Sequence, residues 1–315
     1  MARTKTKRRP PQQRRAEPVR PPTPGSARRR LYARIAWIAV VALAALGAFW
    51  VAKRQAEGPN EAVAPPPAGL PNTPDYHSLL VDATDPDRVL LGTHVGIYET
   101  MDGGRSWTFA GLEGDDAMNL VRTTEGTLWV AGHNVLKRSA DGGATWTDVR
   151  PDGLPGIDVH GFAVDPANDQ VVYAAIAGEG LYRSEDGGVS FEQVSEGVGP
   201  AVYGLAVTRD GRVVAAEQRG VFASEDGGTT WKMLLEEAVV GLAVSPGDEQ
   251  TVLAVGNGIF RSADGGATWR KVQEISEGAW PVAWAPSDPE RAYVVGFDRQ
   301  LYRTTDAGAT WATVG

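Results

Sequence analysis

Cysteine is absent from all 315 residues. This excludes disulfide staples, thiolate nucleophiles and Cys-ligated zinc, so any metal bound here must rely on histidine and carboxylates. Histidine is itself scarce: the chain has four, and none belongs to an H-E-x-x-H phrase or a comparable short ligand motif. Charge is also missing where it matters, since residues 35–52 contain no Asp, Glu, Lys or Arg. Residues 1–34 hold twelve Lys and Arg against one Glu, so with a net charge of -8 overall the remainder carries -19. A body this acidic argues against nucleic acid as its partner.

The charge asymmetry divides the chain. Residues 1–30 are rich in Arg, Lys and Pro and nearly devoid of apolar side chains, which predicts a basic, disordered cytoplasmic tail. Residues 31–52 are long and apolar enough to cross about 30 Å of hydrocarbon as one transmembrane helix, with Trp37 and Trp50 near its ends. Lys53-Arg54 stands where a cleaved signal peptide needs small residues, so an uncleaved anchor is expected. The excess of basic residues before the span puts the N-terminus in the cytoplasm and the rest of the chain outside the cytoplasmic or inner membrane. Residues 53–75, with Pro59, Pro65, Pro66, Pro67, Pro71 and Pro74, read as an extended linker.

From residue 76 onward one phrase recurs six times. Its copies are Asp102-Gly103-Gly104 with Trp107, Asp141-Gly142-Gly143 with Trp146, Asp186-Gly187-Gly188 with Phe191, Asp226-Gly227-Gly228 with Trp231, Asp264-Gly265-Gly266 with Trp269, and Asp306-Ala307-Gly308 with Trp311. Thr100, Ser139, Ser184, Ser224, Ser262 and Thr304 stand two residues before the Asp. The steps from Asp to Asp are 39, 45, 40, 38 and 42 residues. A turn phrase with an aromatic at this period is a propeller signature. Its Asp can accept hydrogen bonds from turn amides and hydroxyls, while Gly supplies positive φ between two short strands. The expectation is an all-β, six-bladed β-propeller over residues 76–315, four strands (A to D) to a blade, closing blade 1 on blade 6 without a swapped strand.

Antiparallel strands place the A-to-B turns and the Asp phrases on one face. The starts of strand A and the B-to-C turns then share the other, which is the expected ligand face. Aligned by their Asp phrases, the repeats begin strand A at His77, Met118, His160, Tyr203, Val240 and Trp280. Strand B ends at His94, His133, Gly178, Gln218, Gly256 and Asp298. All four histidines thus fall in two repeat positions of blades 1 to 3. Their convergence at the mouth fits a divalent metal or proton transfer, although no cofactor is required by the fold. Asp158, Glu179, Glu217 and Asp298 are the acids within reach of the mouth for glycosidase chemistry, and Tyr203 and Trp280 are the aromatic candidates for ligand contact.

The repeated phrase resembles the Asp-box, or BNR, repeat of sialidases, sortilin-type receptors and photosystem II assembly factors. In those families the box is a fold-stabilising turn away from the active site, so the resemblance makes Asp102, Asp141, Asp186, Asp226, Asp264 and Asp306 structural. Tyr76-His77-Ser78-Leu79, Gly92-Thr93-His94-Val95-Gly96, Gly132-His133-Asn134 and Asp158-Val159-His160-Gly161 further resemble bacterial exported BNR propellers labelled glycosyl hydrolases. That likeness ends after blade 3. A sialidase needs an arginine triad and an Arg-Ile-Pro phrase; the phrase is absent, and only Arg219 and Arg299 lie near the histidine face. Photosystem assembly factors bind through a basic patch, from which this acidic body departs. The function expected is therefore a membrane-anchored binding or scaffolding module for an envelope protein or glycan, with a glycoside hydrolase-like enzyme or a His-based metal-binding propeller as alternatives.

Overall fold

A computed structural model describes residues 69–195, 198 and 201–315. The expected basic tail, transmembrane helix and most of the Pro-rich linker lie outside these residues. Among the described residues no helix is long and apolar enough to cross a membrane.

The strands form six antiparallel sheets, each built from four consecutive strands, which is the expected six-bladed propeller. Blade 3 shows the pattern: A is Val159–Asp165, B Asn168–Ile176, C Gly180–Ser184 and D Glu192–Ser195. The other A strands are Ser78–Val81, Asn119–Arg122, Val202–Val207, Val239–Val244 and Ala279–Ala285. They line the centre, while the short D strands carry exposed polar residues at the rim.

The core lies between blades. Leu90 and Ile97 of blade 1 pack on Leu120, Leu128 and Val130 of blade 2, and Trp129 of blade 2 packs on Phe162 and Tyr182 of blade 3. The ring closes on itself through Leu79, Val81 and Leu91 of blade 1 against Tyr293, Val295 and Leu301 of blade 6. Across the same seam the Tyr293 hydroxyl donates to the Pro86 carbonyl at 3.0 Å and the Arg291 guanidinium meets Asp87 at 2.7 Å. Blade 6 keeps its own strand D, Ala312–Thr313, and among the described residues no strand is swapped. The end of the linker is docked as well: Leu70 is buried in this seam, Tyr76 donates to the Pro71 carbonyl at 2.8 Å, and Arg299 reaches Asn72 at 3.0 Å.

Each Asp box is a closed hydrogen-bond unit. In blade 1, Asp102 Oδ1 accepts from the amides of Arg105 and Ser106 at 2.9 Å, and Oδ2 accepts from the Ser106 hydroxyl at 2.6 Å. Thr100 Oγ1 donates to Asp102 at 2.7 Å and accepts from the Gly104 amide at 3.0 Å. The Trp107 indole then caps the turn through a 3.1 Å bond to the Gly104 carbonyl. Hydrogen bonds to the ionised carboxylate, first among them the Ser or Thr hydroxyl, hold Asp102, Asp141, Asp186, Asp226 and Asp264 down at about 2.

The second Gly of the box has two reasons to be Gly. Gly104 has φ +96°, and a Cβ there would stand 2.0 Å from Leu301 Cδ2 of the neighbouring blade. Gly228 repeats the arrangement, its Cβ position lying 2.7 Å from Leu181. The box is thus a turn and a blade-to-blade contact at once. The A-to-B turn shares its face, since the Gly103 amide donates to the Asp87 carbonyl at 2.9 Å.

Candidate metal centre

The opposite face is assembled by joints between successive blades. His77 sits one residue ahead of strand A in blade 1 and extends its ladder through a 2.8 Å bond from its amide to the Gly92 carbonyl. His94 occupies the tight turn after strand B, Val89–Thr93. Thr93 organises that turn by donating to the Gly96 carbonyl at 2.9 Å. Its backbone carbonyl then accepts the Ala117 amide of blade 2 at 3.0 Å, which brings Asp116 beside His94. A different bond, donated by the earlier blade, makes the next joint. Asn134, at φ 58°, donates its amide to the Ile157 carbonyl at 3.1 Å, which brings Asp158 against His133.

All four predicted histidines therefore come together, and three aspartates alternate with them. Along the arc stand Asp75, His77, His94, Asp116, His133, Asp158 and His160. The rings of His77 and His94 lie 4.1 Å apart, those of His94 and His133 6.0 Å, and those of His133 and His160 5.1 Å. The two predicted aromatics complete a ring around the central mouth. Trp280 meets His77 edge-on at 4.9 Å, Tyr203 stacks on His160 at 5.7 Å, and Tyr203 and Trp280 are 6.4 Å apart. His77, Met118, Tyr203 and Trp280 line a cavity of about 120 Å3 at the top of the central channel.

Two other predicted residues do not join the arc. Glu217 is buried and held by Arg219, whose Nε donates at 2.9 Å. Asp298 accepts the Tyr302 hydroxyl at 2.6 Å and the Gln300 amide at 3.1 Å. Each is satisfied inside its own blade. Asp75 and Asp116 escaped the sequence reading, although Asp158 was among its acids. A signal for them existed: Asp75, Asp116 and Asp158 all stand two residues before the aligned positions His77, Met118 and His160, where blades 4 to 6 have Ala201, Ala238 and Gly278.

The arc contains three overlapping groups, each of two imidazoles and one carboxylate: Asp75, His77 and His94; His94, Asp116 and His133; His133, Asp158 and His160. The third is the most open. Its ligand atoms form a triangle with edges of 3.2 Å between His160 Nε2 and His133 Nε2, 3.4 Å from His160 Nε2 to Asp158 Oδ1 and 3.6 Å from His133 Nε2 to Asp158 Oδ1. Asp158 Oδ1 is buried yet makes no hydrogen bond, and neither does Asp116 Oδ1. In the first group His77 Nε2 is 2.9 Å from His94 Nδ1 and 3.1 Å from Asp75, and His94 Nδ1 also contacts Asp75. A ring nitrogen has one in-plane lone pair or one N–H, so His94 Nδ1 can satisfy only one of those two neighbours by hydrogen bonding.

Electrostatics favour ionised carboxylates. Burial pushes the Asp75 and Asp116 carboxyls up, but the hydrogen bonds and positive charge of the surrounding histidines outweigh it and hold both below the usual range. The Asp116 hydrogen bond raises His133, whereas burial lowers His160. Ionised Asp and neutral imidazole are the forms that ligate a metal, so the shift of His160 favours binding while His133 must give up its proton.

Residues 75–314 match the family described as photosynthesis system II assembly factor YCF48. A stretch of 164 residues, 49% of this chain, is 32% identical to 48% of the photosystem II assembly lipoprotein Ycf48 of Synechococcus sp. (strain CC9902), so the match spans about half the length of that relative. The solved structure of YCF48 bound to D1 peptide is similar with a TM-score of 0.51 at 19% identity, over 78% of this chain and 82% of that one. The GH74 xyloglucanase from Xanthomonas campestris gives a TM-score of 0.55 at 18% identity, over 81% of this chain and 46% of that one. At these identities the structural likenesses establish the fold.

Proposed function

Since the chain belongs to the photosynthesis system II assembly factor YCF48 family of propellers, we propose that it is a binding module whose upper face, in blades 1 to 3, takes a divalent transition-metal ion. The observation that carries this reading is the open triangle of His133, Asp158 and His160. Two ligand atoms each about 2.0–2.1 Å from a tetrahedral ion stand roughly 3.3 Å apart, and the three edges here are 3.2, 3.4 and 3.6 Å. Imidazole and carboxylate donors suit zinc and copper(II). Three protein ligands leave a fourth position for water or for a donor from a partner.

A protein partner fits the family, given that one YCF48 structure holds a D1 peptide. The charge-free run of residues 35–52 behind a basic N-terminus supports an anchored propeller displayed outside the membrane, where the partner is an envelope protein or a glycan. The xyloglucanase likeness does not extend this reading to glycoside hydrolysis. Of the acids expected at the mouth for that chemistry, Glu217 is held by Arg219 and Asp298 by Tyr302 inside their own blades.

The test is calorimetric titration of the purified full-length chain with zinc and with copper(II), beside a His133→Ala/His160→Ala variant of unchanged circular dichroism. Saturable binding in the parent, with the third group's ion lost in the variant, supports the site. Equal binding by both proteins, or none by either, removes it.

A further inference from the structure

We propose that the arc is a polynuclear centre in which His94 and His133 act as bridging ligands, a step that rests on the metal reading above. The two middle histidines differ from the terminal pair in one respect: both of their ring nitrogens face ligand groups. His94 turns Nδ1 toward Asp75 and His77 and Nε2 toward Asp116, 3.6 Å away. His133 turns Nδ1 toward the same Asp116 oxygen and Nε2 toward Asp158 and His160. His77 and His160 engage their neighbours through Nε2 alone. Each nitrogen in the arc thus belongs to one group only, and no group has to compete with another for a ligand atom.

The consequence is an order of filling. The first and third groups share no residue, so two ions enter them independently, each bound by one nitrogen of a middle histidine. The second group lies between them and uses the remaining nitrogens of those same histidines together with Asp116. For an ion to bind there, His94 and His133 each release their remaining ring proton to solvent and become imidazolates, each joining two ions. The charges balance: three dications meet three carboxylates and two imidazolates, leaving one positive charge for the open positions to offset. Both middle histidines are partly exposed, so ions reach the row from solvent. Copper(II) is the ion favoured by imidazole-rich sites in the Irving–Williams order, and it reports on bridging, because two copper(II) spins joined by one imidazolate couple antiferromagnetically.

The experiment loads the full-length chain with copper(II), removes loosely bound ion by desalting, and compares copper per chain with the spin count from electron paramagnetic resonance. The expected result is about three copper ions per chain and a spin count well below the copper content. An Asp116→Asn variant should retain two ions and recover a spin count equal to its copper. One ion per chain with full spin intensity overturns the polynuclear proposal and leaves the single-metal reading standing. Two ions with full intensity in the unaltered protein overturn the bridging. No retained copper, together with no zinc binding in the titration, removes both readings.

Discussion

Blades 1 to 3 and blades 4 to 6 are built from the same repeat, and they agree on one face while differing on the other. On the lower face all six boxes tie an Asp to the amides and hydroxyls of its own turn, whichever half of the ring they occupy. On the upper face the first half presents four histidines and three aspartates in contact. The second half presents Tyr203 and Trp280, and its acids Glu217 and Asp298 are satisfied locally. What the repeats share maintains the ring; where they diverge is where a ligand can be recognised. A pseudo-symmetric scaffold makes this separation visible, because each blade is a control for the others.

The comparison is broken most strongly on the upper face. His133→Ala removes the histidine common to two of the three groups and should weaken zinc binding at the third group at least ~100-fold in calorimetry, leaving the first group's ion in place and the thermal midpoint unchanged. Glu217→Gln, on the same face in the second half, should leave zinc affinity unchanged. A shared loss in both variants would mean that the halves are not distinct.

Lower-face variants should do the reverse. Gly104→Ala forces a side chain into a left-handed position and against Leu301, which costs about 3 kcal/mol and lowers the midpoint by roughly 6–12 °C. Zinc affinity of the folded protein should be unaffected. A midpoint within a degree of the parent would show that the boxes do not seal the blade junctions.

A milder lever is acid. The ordinary Asp value is 3.8, and the box carboxylates named above lie at about 2 in the folded protein. A folded value below the unfolded one contributes stability that is fully present above about pH 4 and is lost as pH falls through 2. Scanning calorimetry should therefore show the midpoint falling most steeply between pH 4 and 2, in metal-free buffer. A flat profile there would refute the role given to the boxes.

The smallest expected effect is a gain. Ala307 takes the place of the first box Gly in blade 6 and adopts φ 56°, a conformation unfavourable for alanine. Ala307→Gly relieves that, offset by greater freedom of the unfolded chain, and should stabilise by ~0.5–1 kcal/mol, raising the midpoint by about 1–4 °C.

The fold was legible in the sequence because its determinants are local. Asp, Gly, a hydroxyl and an aromatic within seven residues specify each turn, and six copies at one period leave room for no other ring. The histidines were legible by the same alignment, which is why His77, His94, His133 and His160 were grouped on one face before any contact was known. Asp75 and Asp116 were missed, although the repeat register carried them two residues before the aligned positions His77 and Met118. The pairing of His94 with Asp116 and of His133 with Asp158 lay beyond that register. It depends on backbone bonds between the turn of one blade and the segment entering the next, such as Thr93 with Ala117, and composition does not encode those joints. Glu217 and Asp298 show the converse, since alignment put them near the mouth while Arg219 and Tyr302 took up their charge. The family was legible in the boxes as well, since photosystem II assembly factors are among the propellers they resemble and that family matches over residues 75–314.

The central claim is that the first half of the upper face is a metal site built from blade-to-blade His and Asp pairs. Its most direct test is zinc calorimetry on the full-length chain and on Asp158→Asn, which keeps the shape of the third group and removes its negative charge. Saturable binding in the parent and loss of the third group's ion in the variant are expected. Parent and variant binding zinc alike, or a parent that binds none, would contradict the claim.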